Sequence, residues 1–485
     1  MNAEQVVQTV LSGEGRDAVI KVSARLLRNN RIRKFLIRRL ERGLGAKIAE
    51  MDAHRPRQVQ EDKRVILSAI LGTIDRAMER GNLSPAWTDG RFCKFLLDYL
   101  FQSPSTEATR AFAAQYGQLP PGFLVLSPYK GCNLHCQGCY ADSGPDPTRL
   151  EWAIFDRIIG EAKEQWGARF FVFSGGEPLA YRSEGKGVLD AVERHNDCMF
   201  LMYTNGTLIN GEVAQRMAEA GNITPAISVE GMRTRTDARR GEGVFDRVLA
   251  AMANLRESGV PFGISITATR ENCEEILSDE FLDFFFEEQG ADYGWIFQFT
   301  PIGRGHDINL MPTPQQRMWM WRRTWEVVKE RQILLPDFWT FGTVSDGCIS
   351  AGREGGYLYI DWNGKVMPCV FFPYAAVNIK EVYACGGTLT DAWAHPFFAA
   401  IRRWQREYAH GRQENEGYGN WLMPCPFKDH HLEARAMIDR YHAEPEDEAA
   451  AHALSDVNYD AGLAAYDEAL SELSKPVWQR EYMTR

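Results

Sequence analysis

Three cysteines lie close enough along the chain to share one metal group. From residue 131 the sequence reads Gly-Cys-Asn-Leu-His-Cys-Gln-Gly-Cys-Tyr, so Cys132, Cys136 and Cys139 form a Cys-x3-Cys-x2-Cys loop directly after the apolar run Leu124 to Tyr129. Thiolates are soft ligands and favour iron–sulfur clusters, zinc or copper(I). Three of them on a four-iron cluster leave one iron without a protein ligand, which is the open position a reactant needs. The competing account is a structural zinc site with His135 as fourth ligand. Zinc loops commonly bring a second paired half, and none lies within thirty residues. A second pattern, Ser174-Gly175-Gly176-Glu177-Pro178, follows the strand candidate Arg169 to Phe173. Paired glycines let the backbone approach a ligand closely, and in parallel α/β folds that end of a strand is where ligands bind. Taken alone, the same residues read as a plain strand-to-helix turn.

The elements that must position these loops follow from the texture of the chain. Residues 1–118 read as helical throughout. From Pro120, strand candidates (Leu124 to Tyr129, Arg169 to Phe173, Met199 to Tyr203, Pro225 to Val229, Phe262 to Ala268, Tyr293 to Phe299) alternate with helical stretches at 151–166, 185–195, 211–220, 244–257 and 279–288. That alternation predicts βαβ units and a parallel sheet. Six strands fall short of the eight of a closed (β/α)8 barrel, so the fold class expected over 119–310 is α/β with a partial, TIM-like (β/α)6 barrel. A linker helix at 311–340 carries Trp319, Trp321 and Trp325. The Gly-, Cys- and aromatic-rich segment 341–431 reads as a small module, and 432–485 as a helical acidic tail.

Together the two loops resemble the radical S-adenosylmethionine (SAM) superfamily, with its CxxxCxxC loop and GGEP motif. The resemblance implies a [4Fe–4S] cluster on Cys132, Cys136 and Cys139, with SAM chelating the open iron. Ser174, Gly175, Gly176 and Glu177 would then line the SAM methionyl group. Thr204 and Asn205 match the next SAM-contacting loop, Ser228 matches a Ser-Leu-Asp-Gly position, and Arg240 matches an Arg-Gly that meets the SAM carboxylate. Gly138 stands where an aromatic residue is common, and Glu230 replaces the usual Asp. The implied activity is anaerobic, reductive cleavage of SAM to a 5′-deoxyadenosyl radical, which abstracts a hydrogen atom from an unactivated C–H bond. A reductant such as flavodoxin or ferredoxin is the implied partner.

Cys348 is separated from Gly364 by fifteen residues, and Gly364 from Cys369 by four. The stretch Tyr357 to Cys369, with Asn363-Gly364 at its centre, predicts a β-hairpin that brings distant cysteines toward one metal. The arrangement resembles the SPASM and twitch auxiliary-cluster domains, in reduced form. It implies one auxiliary [4Fe–4S] cluster on Cys348, Cys369, Cys385 and Cys425, with His430 or an open iron as substitutes for Cys385. Cys93, Cys198 and Cys273 read as packed thiols, and the competing account of the whole set is buried thiols with a zinc site.

The net charge of −10 excludes nucleic acid as the default partner. Residues 16–47 nevertheless carry eleven Lys or Arg against two acids, among them Leu26, Leu27, Ile32, Phe35, Leu36, Ile37 and Leu40. A cationic amphipathic helix of this kind docks on anionic lipid, or packs on acidic parts of its own chain. The expected location is cytoplasmic, with peripheral contact at the inner membrane face under the first option. The main functional expectation is therefore a radical SAM enzyme for a lipid or membrane-associated substrate. The alternatives are a peptide or protein maturase, against which the absence of a winged leader-binding domain weighs, and a non-catalytic iron–sulfur electron carrier, against which the GGEP loop weighs.

Overall fold

A computed structural model describes residues 29–88, 106–305, 307–412 and 417–483. Six short strands, β1 (Phe123–Leu126), β2 (Phe170–Phe173), β3 (Met199–Thr204), β4 (Ile223–Val229), β5 (Gly263–Ala268) and β6 (Tyr293–Gln298), pair in parallel in chain order. None of their residues is exposed and most are buried, which explains why they read as largely apolar runs. The strand period of two divides them between two layers. Leu124, Leu126, Phe171, Phe173 and Phe200 pack outward against helix Trp152–Trp166 and its neighbours. Phe123, Val125, Val172, Leu201 and Ala226 point to the inner face. The expected open α/β arrangement of six βα units is what the chain adopts, with no closure of the sheet among the described residues.

The open edges are occupied differently from expectation. The Asn363-Gly364 hairpin is not confined to a separate module. Its first strand, β7 (Tyr357–Ile360), pairs in parallel with β1, and β8 (Lys365–Met367) runs antiparallel to β7. Asp361 Oδ1 accepts from the Asn363 and Lys365 amides across the turn, where Gly364 takes φ +85°. After the two-residue β9 (Tyr374–Ala375), β10 (Val377–Asn378) completes a nine-stranded sheet. At the far edge, residues 334 and 337 bridge to β6.

The amino-terminal helices Asn30–Met51 and Arg57–Arg80 pack on each other. Arg33 is buried against Asp75 at 2.5 Å, and Lys34 meets Glu79 at 2.8 Å, so these two cations are engaged within the chain. Arg25, Leu26, Leu27, Arg28 and Cys93 lie outside the described residues. Helix Arg57–Arg80 shares a core with helix Pro314–Glu330 and the carboxy-terminal helix Val457–Glu481, through Val59, Ile66, Trp321, Trp325, Trp421 and Trp478. Trp319 stays 40% exposed, because it lies on the opposite face of its helix. Buried Asp62 ties helix Arg57–Arg80 to the segment around Thr343 and to the end of the carboxy-terminal helix, accepting from Thr343 Oγ1 at 2.7 Å and Tyr482 OH at 2.8 Å. No described helix is long and apolar enough to cross a membrane.

Candidate active site

The carboxy-terminal ends of the strands open onto one cavity, and all three cysteines of the first loop line it. Ser174, Gly175 and Gly176 after β2, Thr204 and Asn205 at the end of β3, Ser228 on β4, and Arg240 line it too. Glu177 does not. Its carboxylate is buried and accepts from Asn205 N at 2.8 Å, Thr204 Oγ1 at 2.8 Å and Leu179 N at 3.1 Å. It ties the β2 loop to the β3 loop, so its side chain is engaged within the protein rather than facing the cavity. Gly176 also acts through shape, though not as expected: a Cβ there would collide with the carbonyls of Lys130 and Gly131, the backbone that enters the cysteine loop. The β2 loop can approach the cysteine loop only without a side chain.

Tyr140, Arg239, Arg304 and Phe299 hold the site and gave no signal in the sequence; Glu230 and Gly138 were noted there only as departures from the family pattern. Tyr140 OH lies 2.8 Å from Ser174 Oγ and accepts from Gly175 N at 2.9 Å, joining the cysteine loop to the glycine loop. Arg239 donates to the carbonyls of Gln137 and Gly138, and Arg304 to that of Cys136 at 2.9 Å. Glu230, 1% exposed, accepts from both Arg239 at 2.6 Å and Arg240 at 2.9 Å, so the Arg240 guanidinium enters the cavity wall already paired. Gly138 takes φ +63°, and a Cβ on it would meet Phe299 at 2.8 Å. Phe299, from the segment after β6, thus fills the space beside the third cysteine. Apart from the Glu230 pairs, nine and ten residues apart, these partners come from distant parts of the chain, which a local pattern does not reveal.

Burial pushes the Cys132 thiol up to about 11, the Leu134 amide acting against it, and raises Cys136, with Arg240 acting against it. Such thiols stay protonated until a metal displaces the proton. The sulfur of Cys132 receives the Leu134 amide at 3.4 Å and Asn205 Nδ2 at 3.7 Å, hydrogen bonds that suit a ligating thiolate. His135 does not line the cavity, and among the described residues no three His, Cys, Asp or Glu side chains converge on a single-ion position. The donor set fits a multi-iron cluster on one loop better than the zinc alternative.

A second, strongly apolar cavity carries Cys348, Cys369 and Cys425 on its wall. Cys348 Sγ lies 3.2 Å from Ser350 Oγ; Cys369 Sγ receives the Phe371 amide at 3.3 Å and lies 3.0 Å from Tyr357 OH; Cys425 Sγ receives the Lys428 amide at 3.4 Å. Burial and the neighbouring Cys348 push Cys369 up to about 12. Three sulfurs so surrounded fit an auxiliary cluster. Cys385 is not among them: it is exposed, caps the carboxy-terminal end of helix Ile379–Ala384, and lines neither cavity. His430 is not brought there either, since its Nε2 lies 3.0 Å from the Met423 carbonyl and its ring packs on Trp404 and Tyr408. Cys198 and Cys273 are buried thiols away from both sites. Phe338, Tyr357 and Phe371 line both cavities and form the partition between them.

Residues 126–279 match the family model of the Radical SAM superfamily. The mycofactocin maturase MftC of Mycobacterium ulcerans is 31% identical over 316 residues, covering 61% of this chain and 81% of that protein. The chain belongs to the radical SAM superfamily. The AdoMet-dependent heme synthase of Methanosarcina barkeri is 29% identical over 293 residues, covering 54% of this chain and 80% of that one. Among solved structures, Streptococcus suis SuiB bound to S-adenosylmethionine aligns with a TM-score of 0.49 at 18% identity, over 70% of this chain and 83% of that chain. Radical SAM enzymes use a [4Fe–4S] cluster and SAM, and the maturases among them typically carry auxiliary clusters as well.

Proposed function

We propose that this radical SAM enzyme is a peptide or protein maturase, with Cys132, Cys136 and Cys139 holding the SAM-binding cluster and Cys348, Cys369 and Cys425 an auxiliary one. When bound, the cluster and SAM supply a carbon-centred radical able to remove hydrogen from an unactivated C–H bond. The chain's own part is placement. Ser174, Gly175 and Tyr140 shape one wall of the reaction cavity, Asn205 and Arg240 present polar groups to it, and Phe297, Phe299 and Phe371 keep water from the reacting atoms. The observation that carries the reading is the shared aromatic wall: Phe338, Tyr357 and Phe371 line both the first cavity and the cavity that carries the second set of thiols. Two adjoining sites suit a substrate oxidised at a side chain, and the similarity to a mycofactocin maturase supports a peptide. The lipid reading has no such support, and two of the cations that motivated it, Arg33 and Lys34, pair with Asp75 and Glu79.

The similarity to heme synthases and the apolar lining of the second cavity favour a second reading, an iron porphyrin as substrate. Anaerobic reconstitution with iron and sulfide, reduction by dithionite or flavodoxin, and an assay for 5′-deoxyadenosine test the enzyme. Short peptides encoded beside the gene, and iron coproporphyrin, are then compared for stimulation. Stimulation and a mass change with a peptide are expected. Stimulation by the porphyrin alone moves the assignment to the second reading, and no 5′-deoxyadenosine under any condition overturns both.

A further inference from the structure

The second thiol site is bordered by buried positive charge that the proposed reaction does not use. Arg55 and Arg353 are 8% and 7% exposed, and neither lines the cavity. Arg55 donates to the carbonyls of His410 at 2.5 Å and Arg412 at 3.0 Å, and lies 3.4 Å from Asp346 Oδ2. Lys63 Nζ is 2.8 Å from Asp346 Oδ1 and 2.8 Å from Asp52 Oδ2. Arg353 donates to the Ser345 carbonyl, and the Nε atoms of Arg55 and Arg353 have no partner. Arg402, 5% exposed, donates to the carbonyls of Ala351 and Trp393 and has no carboxylate partner among the described residues. Asp346 is two residues from Cys348, and both act electrostatically on Arg353.

The acids nearby do not cancel this charge. One carboxylate, Asp346, is shared among Arg55, Lys63 and Arg353, and Asp52 is spent on Lys63. Glu354 is exposed. Toward Cys425, Asp429 accepts from the Cys425 amide at 3.1 Å and faces that thiol, but it is itself paired with buried Arg317, while Asp337 accepts from Gln298 and Lys428 lies over the Trp339 ring. Burial, with Arg353 and Arg406, holds His410 neutral by pushing it down to about 3. A buried cation without a counter-charge is costly. An iron–sulfur cluster on thiolates carries net negative charge, and one-electron reduction adds one more.

We infer that the buried cations centred on Arg353 raise the reduction potential of the cluster held by Cys348, Cys369 and Cys425, fitting it to accept an electron rather than to donate one. A fixed positive charge in a water-poor interior stabilises the more negative, reduced state. Net charge around a cluster is one of the levers that set its potential. The first site differs, because its two cavity arginines share Glu230, itself buried. Arg353 acts through Cys348 and is not a catalytic residue. The inference rests on the auxiliary-cluster reading.

The test is an EPR-monitored redox titration of the reconstituted holoenzyme, with dithionite as reductant and each cluster followed by its own signal. Arg353→Gln should lower the reduced-to-oxidised ratio of the auxiliary cluster at fixed potential by about tenfold, a shift of about 59 mV for a one-electron couple. Arg353→Lys should largely keep the wild-type value, and the SAM-binding cluster should not move in either variant. Should Arg353→Gln fail to fold, Lys63→Gln at the rim of the same group should shift the auxiliary signal in the same direction. An unmoved auxiliary potential in the folded variant, or an equal shift of both clusters, overturns the inference while leaving the two-cluster reading intact. An iron content of about four per chain overturns both.

Discussion

The hydroxyl of Tyr140 and the missing side chain of Gly176 do for the active site what the three cysteines cannot. They fix the glycine loop against the cysteine loop. Tyr140→Phe leaves the half-buried Gly175 amide without its partner, a loss of about 1–2 kcal/mol. SAM should bind about tenfold or more weakly, read as a raised KM for SAM in the 5′-deoxyadenosine assay with iron content unchanged. Gly176→Ala should be more severe. Its methyl group must displace the backbone at Lys130 and Gly131, so 5′-deoxyadenosine formation should fall more than tenfold even at saturating SAM. Near-normal turnover in that variant would show that the two loops do not meet as described. The cysteines and glycines were legible because ligation and close approach restrict the residue type at a fixed spacing. Tyr140 was not, since a tyrosine after a cysteine is unremarkable until its partner 34 residues away is known. The structural role of the Glu177 side chain was hidden for a related reason: its motif is local, but its carboxylate serves the next loop.

Elements built on buried runs were the easiest to read. All six barrel strands fall where their apolar residues predict, because both faces are covered and no alternative exposure satisfies them. Helix Arg233–Arg240, Arg-Thr-Arg-Thr-Asp-Ala-Arg-Arg, was missed because it has no apolar stripe and is held by its grip on Glu230 and the cysteine loop. The hairpin at Asn363-Gly364 was legible as a hairpin, yet its pairing with β1, more than 200 residues earlier, was not. Local turn chemistry says nothing about the strand's outer neighbour. The fate of Cys385 belongs to the same scale, since its helix turns it to solvent. Cys385→Ala should therefore retain all the iron of the wild type, whereas Cys425→Ala should lose roughly half or lower the stability of the second cluster. Iron and sulfide analysis of the two purified variants separates these outcomes, and loss of iron in Cys385→Ala would restore it as a ligand.

At the scale of the whole molecule, the two thiol sites are parts of one sheet and one aromatic interior. About eight irons are expected per chain, from two four-iron clusters. Replacing Cys132, Cys136 and Cys139 together by Ala should leave about half of that, with the auxiliary EPR signal intact. A folded triple variant that keeps all its iron, or loses all of it, contradicts two separate sites. The amino-terminal helices were legible as helices, but their place was not. Ile66 and Ile70 of helix Arg57–Arg80 line the second cavity, so the helix that follows the basic stretch 16–47 forms part of the wall of the auxiliary site.

The pairing of β7 with β1 also limits what evolution or an engineer can do with this chain. If residues 341–431 were excised to leave a minimal barrel, β1 would lose its partner from Phe123 to Leu126 and present four apolar residues along an unpaired backbone edge. Exposed edges of that kind recruit strands from other molecules. A trimmed enzyme should therefore be lost to aggregation before its chemistry can be asked about. The carboxy-terminal segment is in this sense a built-in chaperone for the strand that leads into the first three cysteines.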